Sequence, residues 1–273
     1  MTPRILMCPP DHYGIEYEIN PWMNRSLGAV RAVAFQQWTK LRDTLVSLGV
    51  KVETLVPQPG LPDLVFTANA GLMYGNMFLS SRFKHEVRSR ESPVFEAWFA
   101  ANGFDVQQLP EKTFHEGAGD ALFCGDVLFA GYRTRSDANA HNWVAEKLGV
   151  RCLPLELVNP RFYHLDTCFC PLAPGVALYF PDAFDAYGRR VLEAHVPKLL
   201  PVVEQEAHRF GCNAVVVGKT AIHNSQCPHL GVLLHHAGFT SVEVELDEFL
   251  KAGGSAKCLT LRLDGEEAAG WRR

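Results

Sequence analysis

The feature that most restricts how this chain can fold is a recurring phrase, an amphipathic stretch closed by glycine and followed at once by a short strand-like run. It occurs as LRDTLVSLGVKVETL (41–55), FEAWFAANGFDVQQL (95–109), NWVAEKLGVRCLPL (142–155), VVEQEAHRFGCNAVVV (202–217) and LGVLLHHAGFTSVEVEL (230–246). Gly49, Gly103, Gly149, Gly211 and Gly238 therefore read as the left-handed residues that end helices. Beyond the first three phrases, VFTANAGLMYGNMFLSS, GDALFCGDVLFAGY and HLDTCFCPLAPGVALYF read as hairpins turned at Gly75-Asn76, Gly125-Asp126 and Pro174-Gly175. The glycines stand roughly fifty residues apart until the last two, which lie about half as far apart, so the fourth unit is expected to be abbreviated or differently built.

The chain opens with the strand-like RILMCP and closes with AKCLTLRL, each without a partner nearby. Pairing them closes a ring of units with helices outside and strands inside, in which equivalent strand starts meet at one central point. An open α/β sheet is the competing arrangement, because helix–glycine–strand alternation is common. The ring is preferred because of the residues at the matched strand starts.

Composition narrows the classes of function. The 273 residues, 47% hydrophobic and 21% charged, suit a single globular unit over 1–273 and exclude a disordered or collagen-like chain. A formal net charge of −4, spread along the chain, argues against nucleic acid or an anionic membrane as partner. Asp11, Glu16 and Glu18 interrupt any signal-peptide core, and no apolar run approaches a membrane span. Eight cysteines without a repeating spacing read as reduced, in a cytoplasmic protein. Only Cys168 and Cys170 lie close together, which is no zinc signature, so no metal is expected.

The matched strand starts carry Asp63 with Asn69, Glu116 with Asp120, and His164 with Asp166, and the last unit supplies Cys258. Each alone has an ordinary reading: a turn acid, a capping acid, a strand histidine, a buried thiol. Together they put carboxylates, an imidazole and a thiol where apolar residues would otherwise fill the axis. Converging carboxylates without metal spacing suit a guanidinium, whose planar N–H fork pairs bidentately with them. A cation against Cys258 would lower the thiol pKa and create a nucleophile for the guanidinium carbon. His164 would then protonate the departing amine and activate the water that resolves the intermediate.

FTANAG, HEGAGD, YHLDTCFCPL and GGSAKCLT, in this order, resemble the motifs of the guanidine-modifying (pentein) superfamily of arginine deiminases, dimethylarginine dimethylaminohydrolases and amidinotransferases over essentially the whole chain. The resemblance implies a five-bladed α/β propeller, with Cys258 as nucleophile and His164 as general acid and base. It also implies that Glu116 and Asp166 grip the guanidinium, with Asp63 supporting from behind. It implies no cofactor. Arginine deiminases have an acid where Asn69 stands; this departure and MCPPDHYGIEYEINPWM resemble the arginine dihydrolase domain of cyanobacterial arginine-degrading enzymes. That domain's reaction takes free L-arginine to ornithine, ammonia and carbon dioxide. An amide at 69 can bond either a guanidinium N–H or a ureido oxygen.

Arg88 and Arg135 match positions that bind the substrate α-carboxylate in related enzymes, with Arg90 and Arg133 near enough to confuse the register. Asn20 is a weaker candidate for the amino-acid end, on an N-terminal segment expected to fold over the site. Gly253 and Gly254 suit a mobile loop before the nucleophile, and Lys257 stands beside it. The alternatives are a deiminase stopping at citrulline, a dimethylarginine hydrolase, an amidinotransferase, and a non-catalytic propeller that caps a larger assembly. A small-molecule substrate and a possible homo-oligomer complete the expectation.

Overall fold

The computed structural model describes residues 2–110 and 112–272. Five three-stranded sheets form five blades of one pattern, each an antiparallel pair whose second strand is joined through an outer helix to a parallel third strand. The first blade joins the two ends of the chain. Leu261–Arg262 pairs with Arg4–Met7, in the register Ile5 to Arg262 and Leu6 to Leu261, and Lys51–Thr54 lies parallel on the other side. The ring closure expected from RILMCP and AKCLTLRL is thus present, although the closing strand is two residues long and Cys258 lies in the turn before it.

The second blade is Gly71–Tyr74, Met77–Ser80 and Asp105–Gln107, with helix Ser92–Ala101 between the last two. The third is Ala121–Cys124, Val127–Tyr132 and Arg151–Glu156 with helix Ala138–Leu148. Their hairpins turn where the sequence places them, at left-handed Gly75 and Gly125, and Gly175 does the same in the fourth blade. Gly49, Gly103, Gly149 and Gly238 are left-handed beyond their helices as expected.

The fourth unit corrects the sequence reading. Its helix is Ala186–His195, followed by Lys198–Pro201, and both precede the stretch assigned to it. The Asp185 side chain caps this helix by accepting from Gly188 N–H at 2.7 Å, and Pro197, not a glycine, stands beyond its end. Only Gly188 and Leu192 of the helix are buried, so its apolar stripe is too thin to read. Within 202–217 the only helix is the turn Glu204–Ala207, and the left-handed residue is Phe210, not Gly211. The strand that follows, Val215–Val217, opens the fifth blade, which continues with Thr220–Asn224, helix Pro228–His236 and Thr240–Val244.

The apolar cores lie between neighbouring blades, so each blade is buried by the next. Leu6 and Leu55 of the first unit pack with Phe78, Phe95 and Phe99 of the second. Trp38 and Leu41 pack with Val215, Ile222 and Val244 across the closing seam. Helix Arg31–Ser47 buries Ala34, Trp38, Leu41 and Leu45, a stripe at helical spacing. The blade-initial strands are each entered through a tight turn near the axis, and a Cβ on Gly117 would strike the Gly71 main chain at 2.6 Å. Asp63, Asn69, His164, Asp166 and Cys258 are carried on these turns or immediately beside them. Among the described residues no helix is long and apolar enough to cross a membrane.

Candidate active site at the propeller axis

A narrow pocket lies at the axis, lined by Ile19, Asn20, Asp63, Asn69, Arg88, Arg135, Tyr163, Gly253 and Cys258 among others. Asn20, Asp63, Asn69, Arg88 and Arg135, read as substrate-binding from the sequence, therefore line it, whereas Glu116 and Asp166, expected to grip the guanidinium, are not among its lining residues. Asp63, expected behind the site, stands on the wall itself. Arg90 and Arg133, which confused the register, are outside: Arg90 bonds Gly60 O and Arg133 pairs with Glu156, both at the surface.

Glu116, His164 and Asp166 are fully buried beside the cavity. Glu116 Oε2 lies 2.7 Å from His164 Nε2 and 2.9 Å from Arg135 Nη1, and its Oε1 accepts Lys84 N–H at 3.2 Å. Burial raises the Glu116 pKa, but Arg135 and His164 outweigh it and hold the carboxyl well below the usual range. Burial lowers His164 to about 4 against the pull of Glu116, so its imidazole is neutral near pH 7. Asp166 is the opposite case, raised by burial to about 7 although Lys257, Cys258 and Asn213 resist. The Cys258 thiol is pushed well up by burial and then by Asp166, whose Oδ2 lies 3.5 Å from Sγ.

Two carboxylate oxygens, Asp63 Oδ1 and Asp166 Oδ1, are buried without a partner, unlike those of Glu116. Buried acceptors left open in this way mark where a donor-rich ligand can bind. Arg88 forks onto Glu91 through Nε and Nη2, both at 2.8 Å, and gives Nη1 to Asn69 Oδ1 at 3.1 Å. That bond fixes the amide with its nitrogen toward Gly119, where a Cβ would collide with Nδ2. Arg135 stacks on Tyr163 at 4.7 Å and leaves its Nε unpaired.

The N-terminal segment folds over the cavity as expected. Asn20 donates to Ala252 O at 3.0 Å, and its oxygen caps the turn at Trp22 N at 2.9 Å, so its polar atoms are engaged in tying this segment to the loop before Cys258. The two loop glycines are required by close packing: a Cβ on Gly253 would meet Tyr163 Oη at 2.8 Å, and one on Gly254 would enter the Phe66 ring. Lys257 turns away from the thiol to Glu266 at 2.8 Å.

Sequence reasoning missed Asn213, which contacts Cys258, and Glu91, which holds Arg88. It also missed Ser136, whose hydroxyl donates to Asp120 and accepts Glu116 N–H. For Asn213 a signal existed, since Phe66-Thr-Ala-Asn69-Ala and Phe210-Gly-Cys-Asn213-Ala share a spelling.

Five like blades around an axis that gathers a thiol, an imidazole and carboxylates define an α/β propeller with an axial polar site. No family model matches the chain, but individual relatives do. It is 49% identical, over 95% of its length, to the bifunctional arginine dihydrolase/ornithine cyclodeaminase ArgZ of Synechocystis sp., of which it spans 37%. It is 37% identical to the N(G),N(G)-dimethylarginine dimethylaminohydrolase of Mycobacterium tuberculosis, over 96% of this chain and 86% of that one. The solved N-terminal domain of an asparagine-to-serine ArgZ variant, covalently bonded to a reaction intermediate, superposes with a TM-score of 0.93 at 48% identity. That match covers 97% of this chain and 99% of that one. The chain belongs to the pentein superfamily of guanidine-modifying proteins.

Proposed function

We propose that residues 1–273 form one catalytic unit, a hydrolase that takes free L-arginine to ornithine, ammonia and carbon dioxide through covalent intermediates on Cys258. The observation that carries this is that Cys258 lines one axial pocket together with Asp63, Asn69, Arg88 and Arg135. The open oxygens of Asp63 and Asp166 take N–H groups of the guanidinium. Its positive charge offsets the burial that keeps Cys258 protonated, and the thiolate attacks the guanidinium carbon. The thiol proton passes through His164 to the departing ammonia, leaving a thiouronium on Cys258. Glu116 is tied to His164 and Arg135, so its role is to orient the imidazole and stabilise the imidazolium rather than to grip substrate. Water, deprotonated by His164, then cleaves the carbon–sulfur bond to give bound citrulline.

The second round is the step that needs Asn69. A ureido group is neutral and presents an oxygen, which a carboxylate at 69 would repel and an amide N–H can bond. Arg88 takes the amide oxygen and Glu116 O accepts one amide N–H at 3.5 Å, which leaves the second N–H for the substrate. A second attack releases ammonia, and water frees a carbamate that falls to ornithine and carbon dioxide. The unpaired Arg135 Nε is available to the α-carboxylate. Support comes from a relative: the ArgZ N-terminal domain has been solved as a cysteine-to-serine variant with substrate and in complex with product.

The test is product analysis with purified protein and L-arginine, with citrulline supplied separately. Ornithine with two ammonia per turnover, no free citrulline, and consumption of added citrulline are expected. Citrulline accumulating with one ammonia would make the chain a deiminase. No reaction would remove arginine as substrate and direct the search to methylated arginines and acceptor amines.

A further inference from the structure

Asn213 lies in the loop that leads from the fourth blade into the fifth. It is fully buried, and left-handed Phe210 turns the chain so that Asn213 N–H bonds Phe210 O at 2.9 Å. Its position matches that of Asn69: each stands two residues before the first strand of its blade, in the shared spelling Phe-x-x-Asn-Ala. The pseudo-symmetry thus delivers a second amide to the axis. Asn69 faces the cavity, whereas Asn213 reaches the sulfur.

All the polar atoms of this amide are used, and on two segments only. Oδ1 accepts Cys258 N–H at 3.1 Å, and Nδ2 donates to Asp166 O at 3.0 Å and to Cys258 Sγ at 3.1 Å. Among the described residues no other side chain donates to this sulfur. The other charged groups around it do not replace that bond. Asp166 Oδ2 at 3.5 Å opposes a thiolate, and Lys257 is committed to Glu266. Arg135 and His164 are both tied to Glu116, while Asp63 and Tyr163 carry no positive charge. A main-chain N–H at Ser255 adds to the stabilisation.

We infer that Asn213 is a further catalytic residue, whose side-chain N–H holds the Cys258 sulfur as thiolate and whose oxygen fixes the main chain that aims it. The inference rests on Cys258 being the nucleophile. A sulfur accepts a hydrogen bond well as thiolate and poorly as thioether, so the bond favours the state that must form before attack. When the sulfur electron pair goes to the guanidinium carbon the bond weakens. It is restored when the carbon–sulfur bond breaks and the pair returns to sulfur. An enzyme that runs its thiol through two rounds per substrate uses the donor in both.

The test is the pH dependence of Cys258 carbamidomethylation by iodoacetamide, read on the Cys258 peptide by mass spectrometry, in the wild type, Asn213→Ala and Asn213→Asp. Asn213→Asp is isosteric and keeps the acceptor for Cys258 N–H, so it carries the test if Asn213→Ala does not fold. The midpoint is expected to move up by about one pH unit or more in either folded variant, and kcat for arginine to fall by about 10- to 100-fold. Folded variants with the wild-type midpoint would overturn the assignment. A midpoint shifted in the variants, beside a wild type that does not turn over arginine, would uphold the role of Asn213 and contradict the proposed reaction instead.

Discussion

The two sides of the axial cavity are built on opposite electrostatic plans. On one side, Arg88 is neutralised by Glu91 and Asp63, and Arg135 by Glu116. On the other, Asp166 and Cys258 face each other with only amides and a turned-away lysine for company. Glu116 is consequently held well below the usual carboxyl range, while Asp166 is raised to about 7 and the thiol higher still. The arginine side is charge-paired before any substrate arrives, although burial still raises Asp63 and Glu91 there, Glu91 to about 7. On the thiol side the nearby cation, Lys257, is paired to Glu266 rather than to Asp166 or Cys258. A buried acid without its counter-ion is costly to the fold and useful to catalysis, and perturbation of this kind concentrates at functional sites.

Breaking the charge-paired side should have the largest effect. Glu116→Gln removes the charge that orients His164 and neutralises Arg135, and kcat/KM for arginine is expected to fall by about 10²–10⁴-fold in steady-state assays. A loss under about threefold would separate Glu116 from the chemistry.

The thiol side makes a contrasting prediction about stability. The folded protein keeps a proton on Asp166 up to about 7, whereas an unfolded carboxyl loses it near its ordinary value of 3.8. The stability tied to that proton is therefore present at low pH and is lost as pH rises through about 7. Asp166→Asn removes this dependence, so the variant should gain on the order of a few kcal/mol over the wild type at pH 8, and less at pH 5, while losing activity. Urea unfolding at the two pH values checks it, and a difference independent of pH would contradict the contrast.

A finer test concerns the end point. Gly119→Ala places a methyl group where the Asn69 nitrogen sits, so the amide must move while the Arg88–Glu91 pair remains. Arginine should still be attacked, but citrulline should escape, read as a rising citrulline-to-ornithine ratio. An unchanged ratio would remove Asn69 from the second round. The smallest effects belong outside the cavity: Arg90→Ala and Arg133→Ala should alter kcat/KM by less than about twofold, as exposed ion pairs and surface contacts contribute little.

How legible this was in the sequence varied with how repetitive the local signal is. Four helix ends and three hairpin turns were marked by glycines that must be left-handed, and the closing strand pair followed from the two unpaired ends. The fourth helix was not legible, because it ends before a proline and buries only two residues. The thiol, the imidazole and the axial acids stood in motifs, so the cavity could be assembled in advance. Glu91 and Ser136 could not: Glu91 stands three residues from Arg88, the spacing of a common solvent-exposed ion pair, and Ser136 joins distant segments through a lone hydroxyl. Asn213 was hidden by the misassigned fourth unit, which presented it as the residue after a helix end rather than as the counterpart of Asn69.

The account turns on one thiol serving both rounds. The most direct measurement is the intact mass and peptide map of protein acid-quenched during turnover, with L-arginine in one sample and citrulline in another. A covalent adduct confined to the Cys258 peptide in both samples is the predicted result. Turnover to ornithine without an adduct at Cys258 in either, or undiminished turnover by Cys258→Ala, would contradict it.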